Sequence, residues 1–206
     1  MLVQKQIMTQ EKRIRQIYEE NHGFITSREV SDRGIPSFFL TQFIRHYGLV
    51  RIDRGFYASS SWPVDDYFVF QYRYPKFIYS YDSALYLYGL TDRIVSAKVV
   101  TAPNGYHPYR GEIPGVEKHF ERNPELYREG ISKVRTIFGN EVKAYDKDKT
   151  ICDMIRRKKE MDAETFIKAI QLYSTQKGNP VRMMEYAKAR GIESDVLEIM
   201  ELVKKL

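Results

Sequence analysis

Residues 23–58, GFITSREVSDRGIPSFFLTQFIRHYGLVRIDRGFYA, constrain the fold more than any other stretch of the chain. Two short segments of helical apolar spacing are separated by Arg33-Gly34-Ile35-Pro36, where glycine ends one helix and proline or the following Ser37 suits the start of the next. Strand-like pieces follow at once, Leu49-Val50-Arg51-Ile52 and Phe56-Tyr57-Ala58, and Arg54-Gly55 between them is a tight-turn signal. Helix, turn, helix, hairpin is the order of a winged helix-turn-helix. A helix over 10–21 precedes it, with Ile14, Ile17 and Tyr18 on one side and Gly23 as its stop. Phe24 and Ile25 read as a short extended link, and Thr26 or Ser27 suits the cap of the second helix, with Glu29 in its first turn.

In the third helix Phe39, Leu40, Phe43, Ile44 and Tyr47 recur at core-facing spacing. Ser37, Phe38, Thr41, Gln42, Arg45 and His46 are left outward. Small hydroxyls, an amide and an arginine can enter a major groove, where Gln matches adenine and Arg matches guanine. Thr41, Gln42 and Arg45 are then candidates for base contact, and Arg51 and Arg54 for phosphate or minor groove. Ser27, Arg28 and Ser37 complete the candidate DNA-binding set. Phe38 is an awkward surface residue, expected to pack under the wing or against a partner subunit. The chain carries a formal charge of +6, and between 33 and 54 four arginines face one aspartate, a local +3. That distribution permits nucleic acid as a partner.

At 206 residues the chain is long enough for two domains. The break Ser59-Ser60-Ser61-Trp62-Pro63 suggests a winged helix-turn-helix domain over 1–60 and an α+β domain over 61–206. Beyond it, nine of the 16 tyrosines crowd between Tyr67 and Tyr109. A helix is expected over 64–74, strands over 77–79, 98–101, 116–120, 132–138 and 141–144, and a short helix over 80–89. From Asp146 the period is helical, with Asp148, Asp162, Asn179 and Ser194 as caps. The fold class expected is therefore α+β, a winged helix-turn-helix followed by a mixed domain that ends in a helical bundle. No apolar run reaches the roughly 18 residues of a membrane span. The opening MLVQKQIMTQEKRIRQ lacks the apolar centre of a signal peptide, so a cytoplasmic protein without a membrane partner is expected.

Several stretches together resemble the AbiEi family of bacterial abortive-infection antitoxins, the antitoxin half of type IV toxin-antitoxin systems. They are Gly23-Phe24-Ile25-Thr26, the Leu49-Val50-Arg51 to Arg54-Gly55-Phe56-Tyr57 hairpin, and Tyr79-Ser80-Tyr81-Asp82-Ser83-Ala84-Leu85 with Gly89-Leu90-Thr91. Asp148-Lys149-Thr150-Ile151-Cys152-Asp153-Met154-Ile155-Arg156 follows, then 169–173 and Glu185-Tyr186-Ala187-Lys188. The resemblance covers nearly the whole chain. It implies an N-terminal domain that binds inverted repeats in its own promoter and represses its operon. It also implies a C-terminal domain that counters a nucleotidyltransferase-type toxin without a stable complex, as part of phage defence. Within the TICD-type segment, Lys149, Thr150, Asp153 and Arg156 are the candidates for that antitoxin function.

Two other readings compete. A winged-helix regulator whose C-terminal domain senses a ligand is the first. The second is a metal-dependent nuclease, because Glu141-Val142-Lys143 on a strand supplies the later half of such a pattern, with Glu125 or Glu129 as the upstream acid. Asp146, Asp148 and Asp153 form an acidic cluster for which helix capping is the simple reading and metal binding the alternative. Arg156-Arg157-Lys158-Lys159 is either a second nucleic-acid patch or a solvated helix end. The tyrosines could stack bases, or pack half-buried. His22, His46, His107 and His119 have no zinc spacing, and Cys152 is alone, so neither a metal, a cofactor nor a catalytic residue is assigned.

Overall fold

A computed structural model describes residues 2–93, 95–108, 111–176 and 178–203. They form two compact units, Met1–Arg73 and Tyr74–Leu206. The fold is mixed α+β, with ten helices and sheets of three and five strands among the described residues. No helix among them is long and apolar enough to cross a membrane.

The first unit runs α1 (Leu2–Glu20), β1 (Phe24–Thr26), α2 (Ser27–Asp32), α3 (Ser37–Tyr47), β2 (Val50–Asp53), β3 (Phe56–Ala58) and α4 (Asp66–Arg73). Ile14 and Ile17 of α1 meet Val30, Leu40 and Phe43 of α2 and α3 in a buried core closed by Ile25, Ile35 and Leu49. Each such side chain stabilises by about 1.5–3 kcal/mol on leaving water. Phe24 and Ile25 are more than a link. They form β1, which pairs antiparallel with β3, so the sheet has the order β1-β3-β2. Thr26 and Glu29 together close the start of α2. Thr26 Oγ1 accepts from the Glu29 amide at 3.2 Å and donates to Glu29 Oε2 at 2.6 Å. Gly55 turns the β2–β3 hairpin at φ +72°, a backbone that glycine adopts without a Cβ penalty.

The unit extends past the break expected at 60. Phe24, Phe56 and Trp62 form an aromatic cluster on the sheet, and Phe68, Val69 and Tyr72 of α4 pack against it. An apolar face on α4 that covers the hairpin places the division at Arg73 instead.

In the second unit the strands are β4 (Ile78–Tyr79), β5 (Lys98–Pro103), β6 (Val116–Glu121), β7 (Ile131–Arg135) and β8 (Glu141–Tyr145), in the order β6-β5-β4-β8-β7. β4 runs antiparallel to β5 and parallel to β8. The helices are α5 (Tyr81–Leu87), α6 (Pro124–Arg128), α7 (Lys147–Arg156), α8 (Ala163–Thr175), α9 (Pro180–Arg190) and α10 (Glu193–Val203). Ile151, Met154 and Ile155 of α7 join Ile170 and Tyr173 of α8, Met183 and Tyr186 of α9, and Val196 of α10 in the main core. Asp162 and Asn179 cap α8 and α9 as their positions suggest. Two caps differ. Asp146, not Asp148, accepts from the Lys149 amide at the start of α7. Ser194 lies inside α10, which already begins at Glu193. β7 ends at Arg135, so Ile137 and Phe138 lie in the exposed turn before β8. Tyr109 and the side chain of Val203 lie outside the described residues.

Candidate functional site

Helical spacing decides the outward face of α3. Leu40 and Phe43 are buried, while Ser37, Thr41, Gln42, Arg45 and His46 are exposed. Thr41 Oγ1 donates back to the Ser37 carbonyl at 3.2 Å, whereas Gln42, Arg45 and His46 border a shallow depression with Glu11 and Phe39. Phe38 does not pack under the hairpin: it is 60% exposed, its ring edge-on to Phe39. The hairpin turn is braced at Asp53, which accepts from the Arg54 amide at 2.6 Å and from Arg73 Nη1 of α4 at 3.2 Å. Arg51 Nε donates weakly to the Asp53 carbonyl at 3.4 Å. Ser27 at the start of α2 donates its amide to the Gly55 carbonyl at 2.8 Å, and Arg28 lies over the Tyr72 ring. Among the described residues, the Arg45 and Arg54 guanidinium groups have no ion-pair partner. They are cations held at the surface of the first unit.

The TICD-type segment has a different character. On α7, residues 148–155 are all buried, including Asp148, Lys149, Thr150 and Asp153. A helix this polar survives burial only when each charge is matched. Lys149, 1% exposed, places Nζ 3.0 Å from Asp153 Oδ2 and over the Tyr145 ring. Arg190 of α9 reaches Asp153 Oδ1 at 3.0 Å and Glu121 at 3.5 Å. Asp146 accepts from the Tyr186 hydroxyl at 2.7 Å and also holds Arg182, and Asp148 accepts from the Tyr173 hydroxyl at 2.6 Å. The Thr150 hydroxyl donates to the Asp146 carbonyl at 2.8 Å. Gly130 makes room for this centre: a Cβ there would come within 2.6 Å of the Lys149 stem. Burial lowers the Lys149 pKa and Asp153 opposes that shift; burial raises the pKa of Glu129, which borders the same group. Lys149, Thr150 and Asp153 therefore act as interior ties between β8, α7 and α9, and only Arg156 of the four candidates is exposed.

The remaining candidates separate. Glu141 is exposed on β8 and pairs with Lys133 across the hairpin at 3.1 Å, while Glu129 belongs with Lys149 and Arg190 rather than beside Glu141. Among the described residues no group of three or more His, Cys, Asp or Glu is arranged to hold a metal. The basic run at the end of α7 is split up: Arg157 pairs with Glu160 and Lys158 with Asp195, so it presents no continuous patch. Cys152 is buried, and burial pushes its thiol up to about 12, far from a reactive thiolate.

His119 on β6 is a group that the spacing arguments did not single out. Burial lowers its pKa, the Arg157 guanidinium lowers it further, and contact with Glu117 at 2.9 Å only partly restores it. The folded state thus takes up this proton less readily than the unfolded chain. Its contribution to stability is complete above about pH 6.5, the ordinary histidine value, and is lost as pH falls through the lower folded value. His119→Gln is expected to flatten the pH dependence of unfolding over that window, checked by urea titrations at a series of pH values. An unchanged profile would contradict this.

No protein-family model matches the chain, and no curated protein matches it at a significant level.

Proposed function

We propose that the chain is a non-enzymatic antitoxin of the AbiEi type that represses its own operon. In this reading the first unit is a winged helix-turn-helix: α3 enters the major groove of promoter DNA, and the β2–β3 hairpin is the wing. The observation that carries it is the exposed face of α3, where Thr41, Gln42 and Arg45 lie outward on a helix anchored by Leu40 and Phe43. Arg51 and Arg54 on the hairpin support phosphate contact. Two copies would occupy an inverted repeat. The antitoxin part rests on the sequence resemblance, and its functional partner is a nucleotidyltransferase-type toxin met without a stable complex, in the cytoplasm.

The test is binding of the full chain to its upstream promoter DNA across a salt series. Arg45→Ala is expected to weaken specific binding by about 1–3 kcal/mol if it reads a base. Arg54→Ala is expected to weaken binding on all sequences and to reduce the salt slope by about one. Wild-type affinity in both variants would place the interface elsewhere. Co-expression with a toxin-like neighbouring gene, scored by growth, tests the antitoxin half separately.

A further inference from the structure

Two adjoining cavities in the second unit, of about 370 and 430 Å³, share Tyr81, His119, Arg157 and Glu160 in their walls. Tyr81 is the centre of that partition. The Arg157 guanidinium lies 4.9 Å over its ring, the His119 ring is 4.7 Å away, and Arg156 Nη2 donates to its hydroxyl at 3.3 Å. Its backbone sits at φ +46°, a left-handed conformation that is disfavoured for a non-glycine residue and persists where the surroundings enforce it. The preceding Ser80 supplies that constraint, its amide donating to the Val99 carbonyl and its hydroxyl bonded to Thr101 at 2.9 Å. Strain held in a cavity wall, rather than in a surface turn, points to a positioned side chain.

The two cavities differ in chemistry. One gathers four cations, Lys149, Arg156, Arg157 and Arg190, against three carboxylates. Two of those cations are already matched inside the protein by Asp153 and Glu121. Arg156 has no carboxylate partner among the described residues, and the carboxylate that pairs with Arg157 is the exposed Glu160. Arg190 Nε and Asp153 Oδ1 are 3.0 Å apart yet too poorly aligned to hydrogen-bond, so a buried guanidinium N–H lacks an acceptor. The other cavity has an apolar side formed by Val95, Ala97, Val99 and Met161.

We propose that the paired cavities bind a small phosphorylated ligand, with Arg156 and Arg157 taking the phosphoryl group and the apolar side of the other cavity taking its organic part. A guanidinium pair suits a tetrahedral anion because each planar fork offers two parallel N–H donors. The inference is independent of the DNA-binding reading, because every residue in it lies in the second unit. The shared chemistry is the phosphoryl group, supplied by a nucleotide or by free phosphate.

The experiment is a calorimetric titration of the full chain with inorganic phosphate, the four ribonucleoside 5′-monophosphates and the four parent nucleosides. Saturable binding of phosphorylated probes, and none of the nucleosides, is expected. Arg156→Ala is expected to weaken it by about tenfold, as loss of a charged hydrogen bond does, with an unchanged melting temperature in the absence of probe. Arg157→Ala gives a second measure. Tighter binding of a monophosphate than of phosphate upholds the site as one for a phosphate ester; equal binding upholds it as a phosphate site. Absence of saturable binding by every phosphorylated probe, nucleosides binding as well as their monophosphates, or wild-type affinity in both variants overturns the proposal.

Discussion

Asp153→Ala is expected to destabilise the second unit by about 3–5 kcal/mol, a large part of what holds an ordinary domain folded. Asp153 pairs with both Lys149 and Arg190, whose side chains are nearly inaccessible, at 3.0 Å from each. Removing it leaves two buried cations facing each other, with Glu121 at 3.5 Å from Arg190 and the neighbouring Glu129 as the residual partners. The loss comes from stranded charge rather than from lost attraction, since a buried ion pair gains little over an apolar pair of the same shape. Lys149→Met should accordingly cost much less, because it removes one cation and leaves the Arg190–Asp153 contact in place. Hydrogen exchange of α7 and α9 amides, with urea unfolding followed by circular dichroism, gives the order. Equal losses in the two variants, or a loss below about 1 kcal/mol for Asp153→Ala, would show that water reaches this centre and screens it.

In the first unit, Phe56→Ala is expected to cost about 3–5 kcal/mol. Phe56 has no exposed surface, stacks on Phe24 at 4.9 Å and meets Trp62, Phe68 and Tyr72 at ring distances of 5.4–6.0 Å. Its removal opens a cavity between the sheet and α4 that rigid aromatic neighbours cannot collapse to fill. Tyr72 donates to the Gly55 carbonyl and Arg73 pairs with Asp53, so the same loss loosens the hairpin turn that carries Arg54. Trp62 is the single tryptophan of the chain, and its fluorescence therefore follows this unit alone. A midpoint shift in that signal, with the circular dichroism of the second unit retained, is the expected result. If fluorescence and circular dichroism shift together by the same amount, unfolding is coupled across the chain and the loss cannot be assigned to this cluster.

These two expectations rest on features of different legibility. The periodic and capping signals of the first unit were open to reading from residues alone, because they are local: Gly34, Pro36 and Gly55 act on their own backbone, and Leu40 and Phe43 share a face by helical geometry. Most strands and helices of the second unit followed from the same kind of signal, but α6 was not among the expected elements and β7 stops at Arg135 instead of running to 138. The pairing of Phe24-Ile25-Thr26 with β3 did not, since three residues carry no alternation to recognise and the partner lies some thirty residues away. Nor did the attachment of α4 to the hairpin, which depends on aromatic side chains meeting from separate segments.

The candidate sites divide in the same way. An outward set on α3 can be listed from a 3.6-residue period without any tertiary knowledge, and the exposed Ser37, Thr41, Gln42 and Arg45 match it. The surroundings of α7 cannot be obtained so. Its sequence, KDKTICDMIR, has the composition of a surface helix, yet eight of its ten residues are buried, with Arg190, Tyr145 and Tyr173 meeting its charges and Tyr186 its capping Asp146 from β8, α8 and α9. The cavities around Tyr81 likewise join residues from α5, β6 and α7 that no spacing links. By itself the sequence determined local conformation and which side of each element is apolar. Only the tertiary structure decided which charges meet in the interior, because the energy of a buried ion depends on partners brought within a few ångströms from distant parts of the chain.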